Sequence, residues 1–207
     1  MSELRPSIVI LAGPNGAGKS TVAPDLLQET LAVSEFVNAD VIASGLSAFD
    51  PDSAAITAGR VMLTRIRELA EQRSSFAFET TLASRTFAPW LRDLRTSGYT
   101  VHLFFLWLSS ADLAVERVAE RVAAGGHNVP ADTVRRRYRA GIRNFFNLYQ
   151  PIVTSWTLYN ASGPEPMLAA ESLESEPLKV YDRRVWAAVQ RQGTNEDRSA
   201  KRRDPDP

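Results

Sequence analysis

The clearest chemistry in this chain sits in one run, Gly13-Pro14-Asn15-Gly16-Ala17-Gly18-Lys19-Ser20, which reads G-x-x-x-x-G-K-S. Glycines at that spacing let successive backbone N–H groups turn inward around a phosphate, and a helix starting at the lysine adds partial positive charge. Lys19 then neutralises the outer phosphate oxygens, Ser20 offers a hydroxyl to Mg²⁺, and Thr21 supports the α-phosphate. Such a loop needs a strand before it and a helix after it, and the apolar segment from Ser7 to Ala12 supplies the strand. The plainer alternative, a glycine-rich turn with an incidental lysine, leaves that context unexplained. The ligand implied is ATP with Mg²⁺, and the motif admits GTP equally.

Moving a phosphate onto a hydroxyl also needs a group that takes the hydroxyl's proton. Asp40, in Asn38-Ala39-Asp40, follows the second strand-like run on the cleft side of the sheet. It is either that base or a cap for the turn at 41–44, and its place beside the loop favours the base. No strand ends in an apolar run plus aspartate; instead Phe76-Ala77-Phe78 runs into Glu79-Thr80-Thr81. Glu79 is therefore the substitute carboxylate, for acceptor hydroxyls or a metal-bound water, and Thr81 is a donor to phosphate; the plain reading is a strand-end acid and a helix cap. Arg117 and Arg121 share a helix face, followed by Gly125-Gly126-His127 and a second arginine run that includes Arg136. This reads as a helix-loop-helix lid over residues 117–138 that brings arginines to the transferring phosphoryl group. Any single arginine there is more often a solvated surface residue, the fate expected of Arg139 and Arg143. His127 stays open between a loop cation, a donor to phosphate and an exposed residue.

Those residues need a frame. Strand-like runs at 7–12, 35–38, 75–79, 100–108 and 156–160 alternate with helix-period stretches, the pattern of an α/β fold. The expected architecture is a P-loop NTPase: a doubly wound, mainly parallel sheet with helices on both faces and a helical lid. One helix should start after Asp52 as N-cap, one after Ser109 or Ser110, and one after Asp132 that ends or bends at Pro151. Beyond Gly163 a hairpin and a short helix occupy residues 164–190, and residues 191–207 read as a disordered charged tail, since Ala200 is the only apolar residue from Gln192 onward. Residues 1–190 form a single domain. With 24 basic and 24 acidic residues the formal charge is zero, so neither nucleic acid nor a membrane surface is an expected partner. The absence of cysteine removes disulfides and thiolate chemistry, and the first apolar run is too short for a membrane span, which together point to the cytoplasm.

With these motifs assembled, the chain resembles the zeta-toxin family of P-loop kinases over residues 8–162. The matching residues are Gly-Pro-Asn-Gly-Ala-Gly-Lys-Ser-Thr at 13–21, Asn-Ala-Asp at 38–40, Glu-Thr-Thr-Leu at 79–82, Gly98-Tyr99, and Val-Glu-Arg at 115–117. The resemblance implies that Lys19 holds the phosphates, Asp40 is the base, Glu79 and Thr81 bind the acceptor, and Arg117 contacts phosphoryl oxygens. Characterised members phosphorylate the sugar 3′-hydroxyl of UDP-N-acetylglucosamine and are held inactive by an antitoxin. A nucleotide-sugar acceptor and an antitoxin partner are therefore implied here too. The chain is most similar to a shorter branch marked by Gly-Gly-His-x-Val-Pro, and it places His127 where better-known members have a second phosphate arginine; Arg136 or Arg137 is the expected replacement. The competing classes are a nucleotide-operated switch that hydrolyses ATP slowly and a nucleic-acid end kinase, which the neutral charge disfavours.

Overall fold

A computed structural model describes residues 5–31 and 33–194. Its strands are β1 (Ser7–Ala12), β2 (Phe36–Val37), β3 (Phe76–Thr80), β4 (Thr100–Trp107), β5 (Ser155–Asn160), β6 (Met167–Ser172) and β7 (Lys179–Val180). They form one sheet in the order β2-β3-β1-β4-β5-β6-β7. The pairs among β1 to β5 are parallel, and β6 and β7 add antiparallel at one edge. β1 lies between β3 and β4, with Ile8 level with both Phe76 and Val101. Covered on both faces, it buries every residue from Ile8 to Ala12, which is why it reads as an unbroken apolar run.

The helices are α1 (Lys19–Pro24), continued by wider turns over Asp25–Thr30, α2 (Ala39–Leu46), α3 (Pro51–Glu71), α4 (Phe87–Thr96), α5 (Ala111–Ala123), α6 (Ala131–Asn144), continued over Phe145–Tyr149, and α7 (Arg183–Thr194). The chain leaves β1 toward β2 in one direction and leaves β3 toward β4 in the other, so right-handed crossovers put α1 and α4 on opposite faces. This is the doubly wound P-loop kinase-like fold. Among the described residues no helix is long and apolar enough to cross a membrane.

Helix starts follow local chemistry, with two corrections to the sequence reading. Ser110 caps α5 by accepting from the Leu113 amide at 3.0 Å, and Gly125 at φ 87° ends that helix. α3, however, starts at Pro51 behind Asp50, whose side chain accepts from the Ser53 amide, so Asp52 lies in the first turn and is not the cap. Proline suits that position because its missing N–H would have no helical partner. α6 likewise begins at Ala131 behind Pro130, leaving Asp132 in its first turn.

The C-terminal end also differs from expectation. α7 runs to Thr194, so residues 191–194 are helical and not part of a tail; residues 195–207 lie outside the described residues. Trp186 on α7 stacks on Trp156 at 5.4 Å, and Phe145 meets Trp156 edge-on at 5.5 Å and Phe105 at 4.9 Å. Burying a large apolar side chain contributes roughly 1.5–3 kcal/mol, so this cluster anchors α7 firmly against β5 and α6. Gln192 then ties three elements together. Its carbonyl accepts from Trp107 Nε1 at 2.8 Å and from the Tyr138 hydroxyl at 3.0 Å, and its amide donates to the Ser109 carbonyl at 3.0 Å. A polar residue with such distant partners looks like tail in a hydropathy pattern.

Candidate active site

The glycine-rich loop leaves β1 where the chain departs on opposite sides of the sheet, the crevice in which α/β folds bind ligands. The Gly13 amide donates to the Thr80 carbonyl at 3.2 Å, tying the loop to β3. Gly13, Gly16 and Gly18 take φ values of 145°, 80° and 81°, which L side chains rarely adopt. A Cβ on Gly13 would also strike the Leu106 carbonyl oxygen. Gly13→Ala is therefore expected to destabilise the protein by about 2–4 kcal/mol, a drop in Tm on the order of 5–10 °C. Gly45→Ala, where an added Cβ meets nothing, should stay at or above wild type in the same thermal melt.

Lys19 is buried at 6% exposure, with Nζ donating to the Pro14 carbonyl at 2.9 Å and lying 3.5 Å from Glu79 Oε1. The other Glu79 oxygen accepts from Ser20 Oγ at 2.9 Å and from Asn38 Nδ2 at 2.8 Å. Asn38 works at both ends. Its Oδ1 accepts from the Asp40 and Val41 amides at 2.8 and 3.4 Å and so caps α2. The sequence reading gave Asn38 no role; the available signal was an N-cap residue type directly before a helix start. Asp40 is consequently not the cap. It stands exposed in the first turn of α2, and no described residue donates to its carboxylate. The two acids thus differ in kind: Glu79 is occupied by a lysine, a hydroxyl and an amide, whereas Asp40 presents an exposed carboxylate to two cavities.

Two cavities, each of about 340 Å³, meet at these residues. One is walled by the glycine-rich loop through Thr21, with Arg117, Glu120 and Arg121 opposite. The second lies under α2 and α3 and is walled by Thr81, Ser84, Phe87, Met62, His127 and Arg137. Both are lined by Asn15, Lys19, Asp40 and Glu79. Asn15 is 7% exposed and its Oδ1 has no hydrogen-bond partner among the described residues. A buried acceptor without a donor costs about 1–3 kcal/mol, so this amide is set for a ligand rather than for the fold. A larger cavity of about 590 Å³, bordered by Phe36, Val41 and Val61, shares only Asn38 with this cluster and holds none of its reactive groups.

The lid arginines separate by role. Arg117 walls the first cavity, yet its guanidinium donates to the carbonyls of Ala161, Ser162 and Gly163 at 2.6, 2.8 and 3.0 Å, bracing the loop after β5. The guanidinium thus borders the glycine-rich loop while its Nη atoms hold the loop after β5. Arg121 walls the same cavity, donates to the His127 carbonyl at 2.7 Å and keeps a buried Nε without a hydrogen-bond partner among the described residues. Arg136 is exposed and lines neither cavity; Arg137, about 100° further round α6, enters the second one. Burial pulls the Arg137 pKa below its ordinary value, Asp40 draws it back up, and Arg136 lowers it again.

α6 also holds the wall below Arg137. Gly141 lets the helix lie against the Thr81 carbonyl, Asn144 Nδ2 donates to the Leu82 and Ala83 carbonyls at 2.7 and 3.2 Å, and the Tyr149 hydroxyl donates to the Ser84 carbonyl at 2.6 Å. Leu82 sits at φ 55°, a strained value that this clamp maintains. Thr81 Oγ1 accepts from the Ala83 amide at 3.4 Å while facing the cavity.

A family model described as an AAA domain, AAA_33, matches residues 8–147. The chain belongs to the AAA_33 family. That AAA_33 match spans every residue that lines the two cavities and stops before β5 and α7. An uncharacterised protein of Haemophilus influenzae is 29% identical over 130 residues, covering 63% of this chain and 91% of that protein. Among solved structures, the AvrRxo1-ORF1:AvrRxo1-ORF2 complex with sulphate ions matches with TM-score 0.74 at 16% identity, over 90% of this chain and 64% of that one. The same pair solved with ATP matches with TM-score 0.72. The AAA_33 chain thus spans about 64% of the length of the matched AvrRxo1 chain. The PezAT chromosomal toxin-antitoxin system of Streptococcus pneumoniae matches with TM-score 0.61 at 14% identity, over 97% of this chain and 84% of that one. At such identities the likeness is one of fold.

Proposed function

We propose that the protein is an ATP-dependent kinase that moves the γ-phosphate onto a hydroxyl of a small acceptor, a nucleotide sugar such as UDP-N-acetylglucosamine. The observation that carries this reading is that a nucleotide-type cavity and a second cavity of equal size meet at Asp40, Lys19 and Glu79. ATP lies along the glycine-rich loop, with Lys19 on its outer phosphates and Arg117 and Arg121 beside them. The acceptor hydroxyl faces Asp40. Its oxygen forms the new bond to the γ-phosphorus, the bond from that phosphorus to the β-bridging oxygen breaks, the proton passes to Asp40, and ADP leaves.

Ser20 Oγ and Glu79 Oε2, 2.9 Å apart, are hard oxygen donors of the kind Mg²⁺ takes, and these two residues would hold it. When bound, Mg²⁺ supplies charge neutralisation between the outer phosphates. The zeta-toxin resemblance and the fold likeness to PezAT also support a protein antitoxin as partner, with the reaction taking place in the cytoplasm.

With γ-labelled ATP and UDP-N-acetylglucosamine, label is expected on the nucleotide sugar; label released only as inorganic phosphate would favour the slow ATPase switch. Expression of the wild-type protein is expected to slow growth and Asp40→Asn to relieve it, and harmless expression of an active kinase would contradict the antitoxin proposal.

A further inference from the structure

Four side chains line both cavities: Asn15, Lys19, Asp40 and Glu79. A phosphoryl group crossing from one cavity to the other stays within reach of these four, whereas Arg121 borders only the nucleotide side and Arg137 only the far side. Two of the four are carboxylates, which repel the oxygens of a phosphate. Lys19 answers them as a cation, with its ammonium already drawn to Glu79 at 3.5 Å and to the Pro14 carbonyl at 2.9 Å. Asn15 is then the remaining shared group able to donate. Its placement has a cost that the fold does not recover. The residue is 7% exposed, and its Oδ1 meets no donor among the described residues. Buried amide oxygens are normally bonded, and one left bare marks a group kept for something other than packing. An amide has nearly the same outline either way round, so with Oδ1 unbound the group is free to turn and put Nδ2 into the crossing.

We propose that Asn15 is a catalytic residue that donates from Nδ2 to the phosphoryl group in flight, bonding it more strongly there than in bound ATP. This rests on the reading of the two cavities as one kinase site. As the bond to the β-bridging oxygen breaks and the bond to the acceptor oxygen forms, the oxygens around phosphorus carry their charge into the boundary between the cavities, where Asn15 stands with Lys19. The proton still goes to Asp40. A neutral donor suits this position. A second cation there would pair with the Asp40 carboxylate and lower its basicity, while an amide leaves the base untouched. The glycine-rich loop and Lys19 hold the nucleotide with or without the amide, so its loss falls on the rate and not on ground-state affinity.

The test compares binding of ADP alone with binding of ADP plus aluminium fluoride and Mg²⁺, in which the fluoroaluminate takes the place of the phosphoryl group in flight. Asn15→Ala is expected to weaken the fluoroaluminate complex about 100-fold or more while ADP affinity stays within about twofold, and to lower kcat for phosphotransfer about 10²–10³-fold with little change in either KM. Without nucleotide its Tm should stand at or above wild type, because an unpaired buried oxygen is removed and the space left opens into the cavities. Asn15→Asp, of the same size, should not restore the fluoroaluminate complex. No such complex in the wild type, an equal loss of ADP and fluoroaluminate affinity in Asn15→Ala, or a lower Tm in that variant overturns the proposal. The kinase reading is judged apart. A fluoroaluminate complex that needs Asn15, in a protein that labels no acceptor, upholds the residue's role and sinks the kinase reading, and transfer to an acceptor unchanged in Asn15→Ala does the reverse.

Discussion

Asp40→Asn is expected to cut phosphotransfer by roughly 10²–10⁴-fold, the usual worth of a positioned base, while leaving ATP affinity within about twofold. The substitution keeps the side chain's size. Its fold cost should be small, because α2 is capped by Asn38 and no described residue donates to the Asp40 carboxylate. Glu79 is a poor replacement as base, since Lys19, Ser20 and Asn38 already occupy its oxygens. Steady-state transfer from labelled ATP, with a fluorescent ATP analogue for binding, separates the two effects. A fully active Asp40→Asn enzyme would move the base elsewhere.

Lys19→Ala should have the largest effect on nucleotide binding, with ATP affinity falling about 100-fold or more, because the phosphates lose their main buried counter-charge. It also carries a fold cost. Lys19 and Glu79 have side chains 6% and 12% exposed, so removing the cation strands a nearly buried carboxylate, at a cost of up to about 3–5 kcal/mol. Adding Glu79→Gln to Lys19→Ala should therefore recover much of the lost Tm without recovering ATP affinity. Recovery of both would mean that Lys19 serves the fold and not the phosphate.

What could be read in advance depended on how local the physics was. β1 was legible to the residue, because a strand buried on both faces and followed by a glycine turn leaves an unbroken apolar run with a sharp end. The glycine-rich loop, Asp40 and Glu79 were legible as candidates because each needs only its own residue type at a strand end. The start of α3 differs from expectation by two positions: Asp50 and Asp52 are equally good cap types, and Pro51 between them decides the matter by filling the first helical position. Arg136 and Arg137 could not be told apart without the phase of α6, which is set by Val134, Tyr138 and Ile142 packing on the core. The carbonyl partners of Arg117 and the partners of Gln192 lie far away in sequence, and no periodicity announces such pairings. Asn38 needed the sheet order, since its role comes from β2 lying beside β3.

The fate of the γ-phosphate tests the central claim most directly. Wild-type protein would be incubated with γ-labelled ATP, Mg²⁺ and a library of hydroxylated small molecules, and the labelled products separated. Label in an organic phosphate ester, formed faster than inorganic phosphate and lost in Asp40→Asn, is the expected result. Label found only as inorganic phosphate, at a rate that Asp40→Asn leaves unchanged, would contradict the assignment of the two cavities to one transfer site.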